Sequence, residues 1–163
     1  MAFFRLVPNL TIMAPKDFKE LEDMMEFAVK LNKPVVIRYP RGGQDENIKF
    51  EEHQEIELGK SEILKEGKDI SIIAIGKRVA DAMKMAEKYK KEDGIEAEVV
   101  NARFLKPLDV GTIKKSIEKT KKIVTIEDNI LEGGLASSIK ELLIDNKIEN
   151  IKIKNCGING IVH

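Results

Sequence analysis

The pattern that most constrains this chain is a strand, a helix and a second strand with no hairpin signal between the strands. Leu10-Thr11-Ile12-Met13-Ala14 reads as a short buried strand that Pro15 ends. Asp17 with Glu20 reads as a capping pair at a helix start, and Phe18, Leu21, Met24, Met25, Ala28 and Leu31 follow at helical spacing. Asn32-Lys33-Pro34 closes the helix, because a residue before proline is pushed out of the helical region. Pro34 to Tyr39, apolar and β-branched, is the second strand. Such a βαβ unit has parallel strands, and two parallel strands cannot cover both of their faces. The segment therefore reads as the end of a larger domain, with Ile12, Val35 and Ile37 exposed unless they pair elsewhere. The alternative is that it extends the sheet of the rest of the chain.

From Gly42 to about Glu57 charge is high and periodicity is poor, which reads as a linker, with Glu51-Glu52-His53 solvated. Alternation then resumes. Lys60–Lys65 reads as an edge strand and Asp69–Ile75, almost continuously apolar, as a central one. A helix over Arg78–Lys91 stops at Gly94, and Ile95–Asn101 is the next strand. Asp109 caps a helix to about Lys119, Lys122–Glu127 is a central strand, Gly133-Gly134 opens a helix to Asn146, and Ile151–Asn155 is the last strand. This spacing predicts an α/β fold, a mostly parallel sheet with helices on both faces.

Composition excludes several function classes. The 28 basic and 28 acidic residues cancel, which argues against a nucleic-acid partner. No apolar run approaches the roughly 20 residues of a membrane span, and Met1-Ala2-Phe3-Phe4-Arg5 lacks a signal peptide's apolar centre and cleavage site. The single cysteine, Cys156, has no internal disulfide partner, fits a reducing cytosol and reads as core. His53 and His163 stand far apart, so no metal site is expected.

Ligands of such a sheet gather at strand-to-helix joints. Gly76-Lys77-Arg78 resembles a small phosphate cradle, but it lacks a full glycine-rich phosphate pattern and helix capping is the better reading. Glu127 and Asp128 are adjacent on a strand and point to opposite faces, so structural capping or an interface contact is expected of them rather than a shared acid–base site. Lys106-Pro107-Leu108-Asp109 reads as a turn into a helix. In Val36-Ile37-Arg38-Tyr39-Pro40-Arg41-Gly42, two guanidiniums end a buried strand. Each is a planar donor fork that matches phosphate oxygens, or the partner of a surface ion pair.

Several blocks also carry a family resemblance. Pro8-Asn9-Leu10-Thr11-Ile12-Met13-Ala14-Pro15-Lys16-Asp17, the Val36–Gly42 heptapeptide, Ile56–Lys60, Asn101–Asp109 and Thr125–Asn129 with Gly133-Gly134 resemble the 1-deoxy-D-xylulose-5-phosphate synthases of the transketolase superfamily. They fall in that family's order and spacing. The resemblance implies a three-layer, mostly parallel mixed sheet like the transketolase C-terminal domain, preceded by a βαβ remnant of the pyrimidine-binding domain. Residues 1–43 would be that remnant, 44–58 the linker and 59–163 the C-terminal-like domain. It implies a cytoplasmic homodimeric parent that uses thiamine diphosphate and Mg2+. The parent would condense pyruvate with glyceraldehyde 3-phosphate, losing CO2, to give 1-deoxyxylulose 5-phosphate for isoprenoid, thiamine and pyridoxal biosynthesis.

The resemblance covers only the family's C-terminal part, and the family's Gly-Asp-Gly diphosphate motif does not occur in this sequence. The chain alone is therefore expected to hold no cofactor, metal or catalytic residue, and to need the N-terminal and pyrimidine-binding domains of the same chain. Arg38 matches the arginine that grips the triose phosphate in the family; Arg41 fits the motif without an assigned role. Two other readings stand beside this one. One is a non-catalytic dimerisation module, like the C-terminal domain of a two-oxoacid dehydrogenase β subunit. The other is an anion- or nucleotide-binding regulatory domain built on the Gly76 and Gly133-Gly134 joints.

Overall fold

β-branched and aliphatic runs separated by capped amphipathic helices give eight strands and five helices in the computed structural model, which describes residues 2–50 and 53–158. In chain order they are α1 (Ala2–Arg5), β1 (Thr11–Met13), α2 (Phe18–Leu31), β2 (Val35–Ile37), β3 (Glu62–Lys65), β4 (Ile70–Ala74), α3 (Arg78–Asp93), β5 (Ala97–Asn101), β6 (Phe104–Lys106), α4 (Val110–Thr120), β7 (Lys122–Ile130), α5 (Leu135–Asp145) and β8 (Lys152–Ile158). Asp17 accepts from the Glu20 amide at 2.7 Å and Asp109 from the Thr112 amide at 3.0 Å, so both predicted N-caps form. Gly94 ends α3 in the left-handed conformation that glycine adopts without steric cost.

Five strands form the main sheet in the order β3-β5-β4-β7-β8; β3 runs antiparallel to β5 and the other pairs are parallel. Alternation along the central strands divides the core. Ile73 and Val100 face α4 and α5 through Ile113, Ile117, Leu135 and Ile139, while Ile72, Val99 and Val124 face α3 through Val79, Ala82 and Ala86. This is the expected mixed three-layer α/β arrangement. Cys156 lies on β8, partly buried against the α3 side.

The βαβ segment neither stands alone nor extends this sheet. Its β1 pairs with β2 in parallel and, on its other edge, with β6 in antiparallel. Strand β6 carries no period of its own, and its last residue, Lys106, falls in the stretch that reads as a turn into a helix. The pairing of β1 with β6 supplies the partner without which Ile12 would be exposed, and Ile12 is fully buried in one core with Leu10, Ile73, Leu105 and Leu135. Val35 and Ile37 are half-buried against Met13, Met24 and Phe104. Burying a side chain the size of Phe104 contributes roughly 1.5–3 kcal/mol. One face of α2 stays open: Phe18, Met25 and Val29 are exposed.

A buried ionic cluster locks the two sheets together. Lys16 Nζ lies 3.1 Å from Glu20 and 2.9 Å from Glu62; Arg103 Nε lies 2.8 Å from Glu20, and a terminal nitrogen of Arg103 3.2 Å from Glu62. All four side chains are at most 2% exposed. Asn101 Nδ2 donates to Glu20 at 2.9 Å. Arg103 also donates to the main-chain carbonyl of Gln54 at 2.9 Å, which ties residues 44–58, with no helix or strand among their described residues, to the same point. His53 is not solvated: it is half-buried, with Nε2 2.9 Å from Asp17. Glu51, Glu52 and His163 lie outside the described residues.

Burial pushes the Glu62 carboxyl up, but hydrogen bonding to Lys16 and the charges of Arg103 and Lys16 hold it below its usual range. A depressed acid contributes stability that is fully present above the unfolded pKa of about 4.3 and is lost as pH falls through the folded value. Replacing Glu62→Gln should therefore flatten the acid limb of a stability–pH curve. Arg103→Leu leaves two buried carboxylates short of a partner and should cost about 3–5 kcal/mol in urea unfolding.

Candidate anion-binding site at the junction of the sheets

Three joints that lie far apart in sequence meet where the two sheets abut. Arg38 leaves β2, with its amide bonded to the Met13 carbonyl at 2.8 Å. Lys77 and Arg78 start α3, after Gly76 turns with φ 65°. Asp128 lies on β7 where the pairing slips: Ile126 pairs with Cys156 and Ile130 with Ile158, so β7 uses four residues where β8 uses two. Such a bulge breaks the ladder and re-aims what it carries. The main-chain carbonyl of Asp128 is left free to accept from the Arg38 guanidinium, and does so.

The carboxylate of Asp128 faces three cations. Lys77 Nζ is 3.0 Å away, Arg78 3.3 Å and Arg38 3.9 Å. Burial alone would raise its pKa; Lys77 and Arg78 hold it below the usual carboxylate range. Arg78 pairs with Asp81 as well, at 2.9 Å. The cation side chains are 33–40% exposed, so part of each donor set faces solvent. Beside them is a cleft of about 340 Å3 lined by Tyr39, Pro40, Arg41, Gly42, Phe18 and Lys77. Both terminal nitrogens of Arg78 are taken by Asp81 and Asp128, whereas the contacts of Arg38 run through one terminal nitrogen, so Arg38 is the guanidinium suited to binding phosphate or carboxylate.

The neighbouring residue does something else. Glu127 points to the opposite face and caps α5, accepting from the amides of Leu135 and Ala136 at 2.9 Å each. Burial pushes its carboxyl up, against those amides and the charge of Arg38. The Gly133 amide is taken by the Ser137 hydroxyl at 2.8 Å. The Gly133-Gly134 joint therefore spends these donors internally, which removes it as an anion cradle. Arg41 is exposed and lines the cleft. The three-cation constellation was not legible in the sequence, because no spacing relates Arg38, Lys77 and Asp128. The signal present was that Arg38 follows a strand and Lys77 and Arg78 start a helix, while Asp128 lies within β7.

A family model for the transketolase C-terminal domain matches residues 59–161, and one for the transketolase pyrimidine-binding domain matches residues 1–44. Curated relatives include the 1-deoxy-D-xylulose-5-phosphate synthases of Halothermothrix orenii, 42% identical over 97% of this chain, and of Desulfotalea psychrophila, 45% identical over 96%. The chain spans about a quarter of the length of each, 25%. Among solved structures, a split-gene transketolase described as an inactive β4 tetramer superposes with a TM-score of 0.89 at 32% identity, over 98% of this chain and 52% of that one. A Pichia stipitis transketolase shares the fold at a TM-score of 0.57 and 21% identity, over 78% of this chain and 19% of that one.

A side chain at Gly134 would fall on the Glu127 carboxylate. Gly134→Ala should therefore displace the α5 cap and destabilise the fold by roughly 1–3 kcal/mol in thermal or urea unfolding.

Proposed function

Because the chain belongs to the transketolase C-terminal domain family, we propose that it is the C-terminal part of a 1-deoxy-D-xylulose-5-phosphate synthase and that its own contribution is to hold the phosphate of the acceptor. The parent condenses pyruvate and glyceraldehyde 3-phosphate, with loss of CO2. The observation that carries the reading is Arg38, half-exposed at the sheet junction and held on one edge by Asp128, beside a cleft. Likeness to synthases over nearly the whole chain supports the substrate pair.

Thiamine diphosphate, when bound in such enzymes, supplies the carbanion chemistry, and the protein orients the substrates around it. Among the described residues no three His, Cys, Asp or Glu side chains converge to hold a metal ion, so these residues do not fit the metal–diphosphate group. The N-terminal and pyrimidine-binding domains of the parent would hold that group. Arg38 binds and orients; the main-chain carbonyl of Asp128 holds Arg38; the ionic cluster of Lys16, Glu20, Glu62 and Arg103 keeps the two segments in register. The purified chain by itself is expected to form no 1-deoxyxylulose 5-phosphate.

A second reading is favoured by the split-gene relative: the chain works as an assembly subunit, inactive until joined by the cofactor-binding part. The open face of α2 at Phe18, Met25 and Val29 is where such a part would pack. Restored synthase activity on mixing the chain with a separately expressed remainder would support it; no association in sedimentation would remove it.

In the full-length protein, Arg38→Ala should weaken use of glyceraldehyde 3-phosphate by about 1.5–3 kcal/mol, the range for a charge-assisted hydrogen bond. The change should appear as a higher KM for the phosphorylated acceptor, with the KM for pyruvate much less affected. An unaltered acceptor KM would remove the phosphate reading.

A further inference from the structure

We propose that Lys77 and Arg78 set the site's affinity for a phosphorylated acceptor without contacting it, by taking up the charge of Asp128 so that Arg38 keeps its own. The inference rests on the reading of Arg38 as the phosphate-binding residue and adds to it the groups that tune it.

The geometry separates two roles of one residue. Arg38 donates to the carbonyl oxygen of Asp128, which is neutral and orients the guanidinium without cancelling its charge. The carboxylate of the same residue stands 3.9 Å from Arg38 but 3.0 Å from Lys77 and 3.3 Å from Arg78. An unshared carboxylate at that range would cancel much of the field that a phosphate dianion feels at Arg38, since two opposite charges a few ångströms apart present little net charge outward. Here the carboxylate is claimed first by two other cations. Arg78 divides itself between Asp128 and Asp81, 2.9 Å away, which makes Lys77 the principal counter-charge. The remaining nearby acid, Glu127, is engaged by the α5 amides. Lys77 and Arg78 sit at the first turn of α3, so the C-terminal domain controls a binding group that belongs to the other sheet.

The test is a mutant cycle in the full-length synthase, read as KM for glyceraldehyde 3-phosphate and as inhibition by inorganic phosphate. Lys77→Met with Arg78→Met leaves Asp128 free to neutralise Arg38, and should raise the acceptor KM and the phosphate inhibition constant roughly tenfold. The KM for pyruvate should move far less than the acceptor KM, whereas a packing defect would move both. Asp128→Asn alone, which keeps the carbonyl, should lower the acceptor KM. Adding Asp128→Asn to the double variant should restore it to within about twofold of the starting enzyme. A triple variant as weak as the double one would mean that Lys77 and Arg78 touch the phosphate directly, and would overturn the proposal; so would a double variant with an unaltered KM. If Arg38→Ala also leaves the KM unaltered, the phosphate reading itself has failed. If only the cycle fails, Arg38 stands and the tuning does not.

Discussion

Four buried charges, Lys16, Glu20, Glu62 and Arg103, are the constraint on which the rest of this molecule depends. Ions taken out of water are costly, and the cost is met only where each finds partners at hydrogen-bond distance. Two of these residues precede or start α2 and two belong to the main domain, so the set is complete only in one relative placement of the two sheets. A hydrophobic contact of the same area would tolerate sliding, because apolar attraction is non-directional. The ionic cluster does not. Arg103 even holds a left-handed backbone, φ 54°, a conformation that costs a non-glycine residue free energy and persists because the surrounding bonds determine it.

That placement has consequences at a distance. With Lys16 and Glu20 docked, β1 lies against β6 and its Ile12 enters the same core as Ile73 and Leu135. Strand β2, one step further out, delivers Arg38 to the bulge of β7. The bulge in turn exists because β7 runs four residues past a stretch of β8 that runs two. Lock, pairing and bulge act in series, and the anion-binding geometry is the last member of the series.

The fold was largely legible from periodicity. Asp69–Ile75 and Lys122–Glu127 are apolar on both faces and became central strands; Asp17, Asp109 and Gly94 punctuated helices by their own side-chain or backbone chemistry. Strand β6 was not legible, since three residues between Arg103 and Pro107 carry no period and acquire strand character only from β1 beside them. The cluster was hidden for a similar reason. Lys16, Glu62 and Arg103 look like ordinary solvated charges, and only their mutual contacts make burial tolerable. His53 is a smaller instance: in a charged segment it reads as exposed, yet Asp17 draws it in.

By itself the sequence determined the alternation of elements, the helix caps, the family and the one heptapeptide in which a strand ends in guanidiniums. Those depend on near neighbours along the chain, where rotamer, capping and period-two or period-3.6 rules operate. Tertiary structure alone decided that Arg38 rests on a main-chain carbonyl, that Lys77 and Arg78 claim the carboxylate of Asp128, and that Glu127 turns away to cap α5. The first two are through-space choices among groups 50 to 90 residues apart, and the third is made across 8 and 9 residues. They follow from the distances and burial of the folded chain, which no spacing in the sequence encodes.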